Sequence, residues 1–404
     1  MPRRRRVALL VESSRSYGRG LLHGLAEYAR VHDGWTVSLD DRGLSEEVPG
    51  WLRAWHGDGV IARIESEQLL AVVRQLGLPV VDLRGLYRAP DLPLVETDEP
   101  RVVRQAYDHL VDRGVRRFAF CGFEGTNYSD VRCRLFADLA AEHGGCVVYR
   151  PPTRPRRGLT VELEQANIAF ETHLADWLVG LPKPVGIMAC NDIRGQQVLR
   201  ACRLTGLGVP DEVAVVGVDN DELLCELCTP ALSSVVPDTR RIGLEAGALL
   251  DGLMAGRGRP PAPVFVPPLG VIGRRSTDLV PGAGPEVIAA VRFIREHARD
   301  GIDVADVLAR VRCSRSTLER GFARHVGRSP KAEINRVRVE RIRQLLRETD
   351  YSLARIAEMT GFEHPEYLSV FFRRETGQTP GDHRARSGDR RPPPVTGAGR
   401  PGRS

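Results

Sequence analysis

The chain has 404 residues, enough for two to three domains, and its 42% hydrophobic and 27% charged residues are ordinary for a globular protein. No stretch is long and apolar enough to span a bilayer, which excludes a membrane-spanning protein. The net charge of +6 is uneven, because residues 285–386 hold 20 Arg/Lys against 15 Asp/Glu while residues 1–284 hold 34 against 36, so we expect the C-terminal part to meet a polyanion.

The N-terminus, MPRRRRVALLVESS, begins like a signal peptide, but the apolar run Val7–Val11 is too short for one. The eight cysteines are scattered, with one close pair at Cys225 and Cys228. A single C-x-x-C without a second pair favours ordinary reduced thiols over a zinc or redox site. We therefore expect a cytoplasmic protein with no metal site and no membrane partner.

The first 275 residues alternate strand and helix patterns. Several apolar runs are nearly continuous, as in parallel strands that are buried on both faces, so the fold class is predicted to be α/β with doubly wound sheets. The region is too long for one such sheet, and we predict two lobes, with chain crossings near Asp98–Arg113 and Ser233–Val236. The predicted strands are Val7–Val11, Trp35–Leu39, Gly59–Ile64, Pro79–Leu83, Phe118–Cys121, Val185–Cys190 and Val213–Val218, and the predicted helices include Gly20–Val31, Arg101–Arg113, Val131–Glu142 and Ile193–Thr205.

Polar side chains follow three of these strands. A sugar site needs carboxylates and amides that bind hydroxyls in pairs, together with an aromatic platform. Because the carboxyl ends of parallel strands meet at one edge of a sheet, we expect these side chains to line a pocket between the lobes. The alternative for the Asp, Asn and Ser residues is helix capping. The candidates are Ser13, Ser14, Tyr17, Asn191, Asp192, Asp219 and Asn220.

The α/β region resembles the LacI-type regulators and the periplasmic sugar-binding fold, through segments such as GIMACND and VAVVGVDND. This resemblance implies a two-lobed, periplasmic-binding-protein-like sensor with a sugar effector between the lobes. It also implies that the Asp219 carboxylate binds sugar hydroxyls and that Arg132, four residues before Phe136, contacts the ligand. A surface ion pair is the alternative for Arg132.

Motifs for catalysis are missing from this region. The Ser13–Gly20 stretch lacks the G-x-G-x-x-G and Walker A spacings, and the sequence contains no HExxH, no GxSxG and no paired Cys/His site. We therefore predict no catalytic residues and no cofactor. An α/β sugar-metabolising enzyme with a helical appendage is the alternative, and turnover of a sugar by the pure protein would support it.

A domain boundary is marked by the Pro/Gly-rich segment LVPGAGP at residues 279–285. After it the strand signal disappears, and short helices follow. The predicted organisation is a sensor at residues 1–278, a linker at 279–285, an all-α domain at 286–386 and a disordered basic tail at 387–404.

The all-α domain contains a first helix-turn-helix pattern. A helix around Val304–Arg310 is expected to pack Leu308 inward. Ser314 then caps a second helix that buries Leu318 and Phe322, which are spaced i, i+4.

A second segment repeats this layout. Its first helix, Leu353–Met359, is followed by a turn at Gly361, and its second helix begins near Pro365. Leu368, Phe371 and Phe372 are expected in its core, and the basic helix Ile334–Arg347 separates the two segments.

The second helix of each segment also carries an exposed polar stripe. A helix fits the major groove of DNA, where such side chains reach base edges and phosphates. A solvated helical face is the alternative for one such segment alone, but two segments in succession indicate DNA binding more specifically. The DNA-binding candidates are Arg315, Ser316, Thr317, Glu319 and Arg320 in the first, and His364, Glu366, Tyr367, Ser369 and Arg373 in the second.

Residues 286–386 resemble the AraC-type DNA-binding domain. The resemblance rests on Ser314-x3-Leu318-x-Arg320-x-Phe322, Gly327-x-Ser329-Pro330, Gly361-Phe362, Tyr367-x3-Phe371-Phe372 and Gly377-x-Thr379-Pro380. It implies that double-stranded DNA is the partner and that two recognition helices enter successive major grooves.

Taken almost end to end, the sequence resembles the XylR-like regulators, through segments such as LLVESSRSYGRGLLHGLAEYAR, HLVDRGVRRFAFCGF and VPPLGVIGRRSTD. This resemblance implies a sugar-responsive transcription regulator with a xylose-like pentose as effector. Activation of pentose catabolism genes is the implied output, with RNA polymerase as a partner of an activator, and a homodimer is expected. The same design with another small molecule as effector is the alternative.

Overall fold

The computed structural model describes residues 3–40, 48–151, 171–258, 262–280, 282–349 and 351–388. The predicted tail therefore lies, from residue 389 onward, outside the described residues. The chain divides into two compact units, Met1–Leu279 and Val280–Ser404, and each is described by itself. Over the described ranges, no helix combines the length and the apolar character needed to cross a membrane.

The first unit alternates strands and helices, which confirms the predicted α/β class. Its elements are, in chain order, β1 (Arg5–Leu10), α1 (Ser16–His32), β2 (Trp35–Leu39), β3 (Gly59–Ala62), α2 (Glu67–Gln75), β4 (Val80–Asp82), β5 (Val95–Thr97), α3 (Glu99–Val111), β6 (Phe118–Cys121), α4 (Asn127–Ala140), β7 (Cys146–Val148), α5 (Glu171–Gly180), β8 (Val185–Ala189), α6 (Asp192–Thr205), β9 (Val213–Val218), α7 (Glu222–Leu227), β10 (Ser233–Val236), α8 (Thr239–Met254), β11 (Val264–Val266) and β12 (Gly270–Ile272), with short 3-10 turns at Leu52–Ala54, Ala141–His143 and Arg275–Thr277.

The first lobe contains, in the described part of the chain, a parallel sheet with the strand order β2-β1-β3-β4 and a parallel pair formed by β5 and β11. Both faces of the sheet are buried. Val7 and Leu9 of β1 pack into one core, whereas Ala8 and Leu10 pack into the other. Because side chains on both faces of this strand are buried, every residue needs an apolar side chain. This explains the continuous apolar run at residues 7–11.

Helices α1 and α8 cover one face of this lobe at very close range. A methyl group added at Gly24 would lie 2.0 Å from the carbonyl oxygen of Arg240, and one added at Gly243 would lie 2.3 Å from the carbonyl oxygen of Leu21. Glycine at these positions lets the two backbones touch, which holds the returning helix α8 against the first lobe.

The second lobe contains, among the described residues, a sheet with the order β12-β10-β9-β8-β6-β7, in which β12 is antiparallel to β10 and the other neighbours are parallel. Its two faces pack into separate cores. Ile187 and Val215 contribute to one, and Met188 and Val216 to the other.

The lobes are joined where the sequence predicts crossings, between β5 and α3 and between β10 and α8. A further connection runs from β11 to β12. Strands β5, β7, β11 and β12 were not predicted, because each has three residues and shows no clear period, whereas β4 lies within the longer predicted strand Pro79–Leu83.

The second unit is helical. Its elements are α9 (Pro285–His297), a 3-10 turn at Ala298–Asp300, α10 (Val304–Val311), α11 (Arg315–His325), α12 (Pro330–Glu348), α13 (Leu353–Met359), α14 (Pro365–Thr376) and α15 (Pro380–Gly388). The long helix α12 begins four residues earlier than predicted, because Ser329 caps it and Pro330 occupies its first turn.

Each helix-turn-helix segment has its own core. Leu318 and Phe322 are fully buried in the first, and Leu368 and Phe372 in the second. Leu308 of α10 packs against the first of these cores, as predicted, but it is only partly buried. Val307 is the fully buried side chain, and Leu308 lies at the edge of that core.

Candidate functional site

A cavity of about 110 Å³ lies between the two lobes of the first unit, at the carboxyl ends of the strands. A position for one water molecule needs about 10–15 Å³, so the cavity suits a ligand of monosaccharide size. Its lining is dominated by charged and aromatic side chains. The lining residues are Glu12, Arg15, Ser16, Tyr17, Arg63, Glu65, Leu83, Arg84, Glu96, Glu99, Tyr128, Arg132, Asn191, Asp192, Ile193, Asp219, Asp221 and Leu224.

On the side of the first lobe, carboxylates and guanidinium groups alternate. The Arg63 guanidinium binds Glu12 and lies 3.4 Å from Glu65, and Arg84 Nε lies 3.0 Å from Glu65 Oε2. Burial by itself raises the pKa of the Glu65 carboxyl, but Arg84 and Arg63 hold that pKa below its ordinary value. The lobe therefore presents fixed charges whose positions are set by their partners.

Glu96 is the exception in this charge network. Its side chain is buried, and burial together with the nearby Glu99 carboxylate raises the pKa of Glu96 to about 7. Arg88 lies 3.8 Å from its Oε2 atom, which accepts no hydrogen bond among the described residues. Glu96 therefore changes its charge near neutral pH.

Tyr17, which follows β1, supplies an aromatic ring to the cavity. Its hydroxyl lies 2.8 Å from Thr97 Oγ1, and the Arg63 guanidinium carbon lies 5.3 Å from the centre of its ring. Burial raises the pKa of Tyr17 to about 12, so the hydroxyl stays neutral.

On the side of the second lobe, Arg132 of α4 is buried and makes a bidentate ion pair with Glu99. Its guanidinium also donates to the Cys190 carbonyl and lies 5.2 Å from the ring centre of Tyr128. Arg132 does form an ion pair, but this pair is buried at the cavity wall and does not lie at the protein surface, where the alternative had placed it.

Asn191 and Asp192 follow β8 and begin α6. The Asn191 side chain caps this helix by accepting from the Arg194 backbone N–H, and its amide nitrogen lies 3.2 Å from the Tyr128 hydroxyl. The Asp192 carboxylate accepts from the Ser234 hydroxyl and the Asp221 backbone N–H. Asn191 thus combines the capping alternative with a place in the cavity lining, whereas Asp192 lines the cavity without capping α6.

Asp219 and Asn220 follow β9 in an uncommon backbone conformation. Their φ angles are 106° and 46°, in the region that L-residues seldom adopt. Asp219 lines the cavity, and its charge raises the pKa of the buried Asp192, for which burial is the main cause. Asn220 instead accepts a hydrogen bond from Arg274 through Oδ1.

The structure brings five of the eight predicted ligand residues together at the cavity. Ser13, Ser14 and Asn220 are not among its lining residues. Ser14 is exposed, and the Asn220 side chain bonds to Arg274 instead. Sequence reasoning missed other lining residues, although Glu12, Arg63 and Arg84 also stand just beyond the ends of β1, β3 and β4. The same rule that found Asp219 applies to these residues.

No group of three or more His, Cys, Asp or Glu side chains suited to a metal ion occurs within the described ranges. Cys225 and Cys228 are both buried, and burial is the main cause that raises the pKa of each thiol.

The paired carboxylates, guanidinium groups and two tyrosine rings of the cavity are suited to binding a polyhydroxylated ligand, since they offer both hydrogen bonds and flat apolar faces.

In the first helix-turn-helix segment, Ser314 caps α11 by accepting from the Thr317 backbone N–H. The predicted DNA-binding side chains of this helix are exposed, and Arg315 pairs with Glu319 across one turn. The Arg320 Nε donates to the Ser316 carbonyl. The helix therefore presents a polar face with its guanidinium groups at the surface.

In the second segment, Glu366, Tyr367 and Arg373 of α14 are exposed, as is His364 directly before the helix. Ser369 differs from the prediction, because it is half-buried and its hydroxyl donates to the Pro365 carbonyl of its own helix.

Comparison with known protein families assigns the parts of the chain separately. Residues 6–100 match the XylR N-terminal domain, residues 107–277 match the periplasmic binding protein-like domain, and residues 307–386 match a helix-turn-helix domain.

Whole proteins match over nearly the full chain. The sequence is 34% identical to the xylose operon regulatory protein of Escherichia coli K12, over 95% of this chain and 97% of that protein. It is 30% identical to the xylose operon regulatory protein of Haemophilus influenzae, over 94% of this chain and 98% of that protein. A solved structure of the xylose-binding transcription activator xylR is similar with a TM-score of 0.77 and 32% identity, covering 95% of this chain and 98% of that one.

Proposed function

Because this chain belongs to the XylR family of sugar-responsive, DNA-binding transcription regulators, we propose that its effector is a neutral pentose, D-xylose first among them. The cavity between the lobes carries this proposal. Tyr17, Arg132, Asn191, Asp192 and Asp219 meet there beside further carboxylates and guanidinium groups. Such groups bind vicinal hydroxyls in pairs, and the tyrosine rings offer surfaces to the C–H faces of a sugar.

A ligand in this position affects the distance between the lobes. Arg19 of the first lobe lies 3.8 Å from Asp221 of the second, and the Arg84 guanidinium carbon lies 5.4 Å from the ring centre of Tyr128. A sugar that bonds to both walls adds to these contacts and favours the closed arrangement. A differential binding energy of about 1–3 kcal/mol is enough for a typical allosteric response.

The output of this response is DNA binding by the AraC-type unit. We propose that α11 and α14 enter two major grooves that lie about 34 Å apart, one helical turn of DNA. The side chains proposed to reach bases or phosphates are Arg315, Ser316, Thr317, Glu319, Arg320, His364, Glu366, Tyr367 and Arg373.

Membership of this family also suggests an oligomeric state, a compartment and a direction of regulation. We propose a homodimer that acts in the cytoplasm, where its DNA partner is, and that activates transcription through RNA polymerase. The relatives are named as xylose operon regulators and as a transcription activator, which supports both the pentose and the sign of the response.

A thermal-shift screen of monosaccharides with the full chain tests the effector. We expect D-xylose to raise the melting temperature, because a ligand that binds the folded state stabilises it. Asp219→Asn keeps the size of the side chain and should abolish the shift, whereas the exposed Asp138→Asn should retain it. A shift with another sugar alone would correct the ligand, and no shift with any sugar would refute sugar sensing.

A further inference from the structure

Arg274 connects the cavity wall to the end of the first unit. Its guanidinium makes three hydrogen bonds, to the Asn220 side chain at 2.9 Å, to Glu226 at 2.8 Å and to the Leu232 carbonyl at 3.0 Å. Its side chain is only 10% exposed. Because each bond fixes one edge of a rigid planar group, Arg274 holds three separate backbone segments at set distances.

The first of these segments is the wall of the cavity. Asn220 stands between Asp219 and Asp221, which both line the cavity. With the positive φ angles of Asp219 and Asn220, this turn stores backbone strain that its surroundings must hold. The Arg274 bond to Asn220 is one of those restraints, together with the bond from the Asp219 backbone N–H to the Val235 carbonyl.

The backbone of Arg274 itself leads into the turn by which the chain leaves the sensor. The Arg274 N–H donates to the Ser233 hydroxyl, which also contacts the Thr277 hydroxyl at 2.7 Å. The buried His109 lies 2.8 Å from the same Thr277 hydroxyl, and Ser276 donates to the Val215 carbonyl. The turn Arg275–Thr277 is therefore anchored to the sheet of the second lobe, just before the unit ends at Leu279.

We propose that Arg274 is a positioning residue that couples occupancy of the cavity to the segment at residues 275–285, through which the sensor is joined to the DNA-binding unit. This inference rests on the proposed function. A ligand hydroxyl bound to Asp219 changes the restraints on the 219–221 turn. Arg274 passes that change to the backbone of the outgoing turn, because the same residue bonds to Asn220 with its side chain and to Ser233 with its backbone.

The test separates sugar binding from the response to sugar. The full chain is titrated with a DNA duplex that it has itself selected from a random library, with and without D-xylose. In the native protein we expect D-xylose to change the DNA dissociation constant within the range of about 5- to 150-fold that allosteric coupling usually gives. In Arg274→Lys, which keeps the charge but not the three-bond geometry, we expect less than about a twofold change.

Calorimetry on the same variant should show D-xylose affinity within about threefold of the native value, since Arg274 is outside the cavity lining. Arg203→Ala, at an exposed position of α6, is the control and should respond like the native protein. Asn220→Gly removes the acceptor and takes the positive φ without strain, so it should lose part of the response. A full response in Arg274→Lys, or a parallel loss of sugar affinity, would overturn the proposal.

Hydrogen exchange makes the inference independent of the proposed effector. Without any ligand, the backbone amides of residues 275–279 should exchange faster in Arg274→Lys than in the native chain, because the substitution removes the guanidinium bonds that hold the residue before this turn. If the native protein responds to no sugar, the proposed function fails, and this measurement still decides on Arg274. Unchanged exchange in these residues would refute its coupling role.

Discussion

Arg132 and Glu99 form a bidentate ion pair at the wall of the cavity, with 2.6 Å between Nε and Oε2 and 2.8 Å between Nη2 and Oε1. Glu99 is the first residue of α3, directly after the chain passes from the first lobe to the second, and Arg132 lies on α4. The pair therefore holds the start of α3, where the second lobe begins, against α4.

Removing one partner of this pair should be costly. Glu99→Gln leaves the Arg132 guanidinium buried without its carboxylate, and we expect the free energy of unfolding to fall by about 3 kcal/mol. Chemical denaturation of the full chain measures this. The exposed pair Arg104–Asp108 supplies the control, since Asp108→Asn should cost less than about 1 kcal/mol. Equal losses in both variants would contradict the burial argument.

The close packing of α1 on α8 predicts opposite effects for two glycines of the same helix. Gly243→Ala should destabilise the protein by about 1–3 kcal/mol, because its methyl group would lie 2.3 Å from the Leu21 carbonyl oxygen. Gly252→Ala should be neutral or stabilising by up to about 1 kcal/mol, because its methyl group would meet only the Arg257 side chain, at 3.4 Å. Thermal unfolding of both variants tests the contact, and a stable Gly243→Ala variant would contradict it.

Glu96 predicts a pH dependence of stability. Its pKa rises from the ordinary 4.5 to about 7 in the folded protein, so between these pH values the folded state binds the proton more tightly than the unfolded state. Protonation of Glu96 therefore stabilises the folded state at low pH. This stabilisation, at most about 3 kcal/mol, is lost as the pH rises from 4.5 to about 7.

Denaturant unfolding of Glu96→Gln at pH 5 and pH 8 measures this effect. The variant should gain stability relative to the native protein at pH 8 and lose that advantage at pH 5. The exposed Glu222→Gln should run parallel to the native protein throughout. Parallel profiles for Glu96→Gln would show that Glu96 does not titrate in this range.

The two recognition helices predict two independent DNA contacts. Arg320→Ala and Arg373→Ala should each weaken specific binding, while the exposed Arg101→Ala in the sensor should not. A contact to a base should cost about 1–3 kcal/mol at a few base pairs, whereas a phosphate contact should lower affinity uniformly and reduce the salt slope by about one. A footprint with one protected groove per protomer would refute the model in which both helices dock.

The alternation of strands and helices, and the start of most helices, are determined by the sequence itself. Burial of a strand on both faces demands consecutive apolar residues, as at residues 7–10 of β1, and this demand is visible without the fold. Helix starts such as Ser314 and Ser329 are equally local, because each side chain caps a backbone N–H three residues away.

The partners of the polar groups are decided by the tertiary structure alone. Glu99 and Arg132 are 33 residues apart, and Asn220 and Arg274 are 54 apart, so no local period connects them. Asp219 and Asn220 are neighbours with the same place after β9, yet one lines the cavity and the other bonds to Arg274. Position after a strand brings a residue to the edge of the sheet, but its backbone angles and the elements packed behind it determine which way the side chain points.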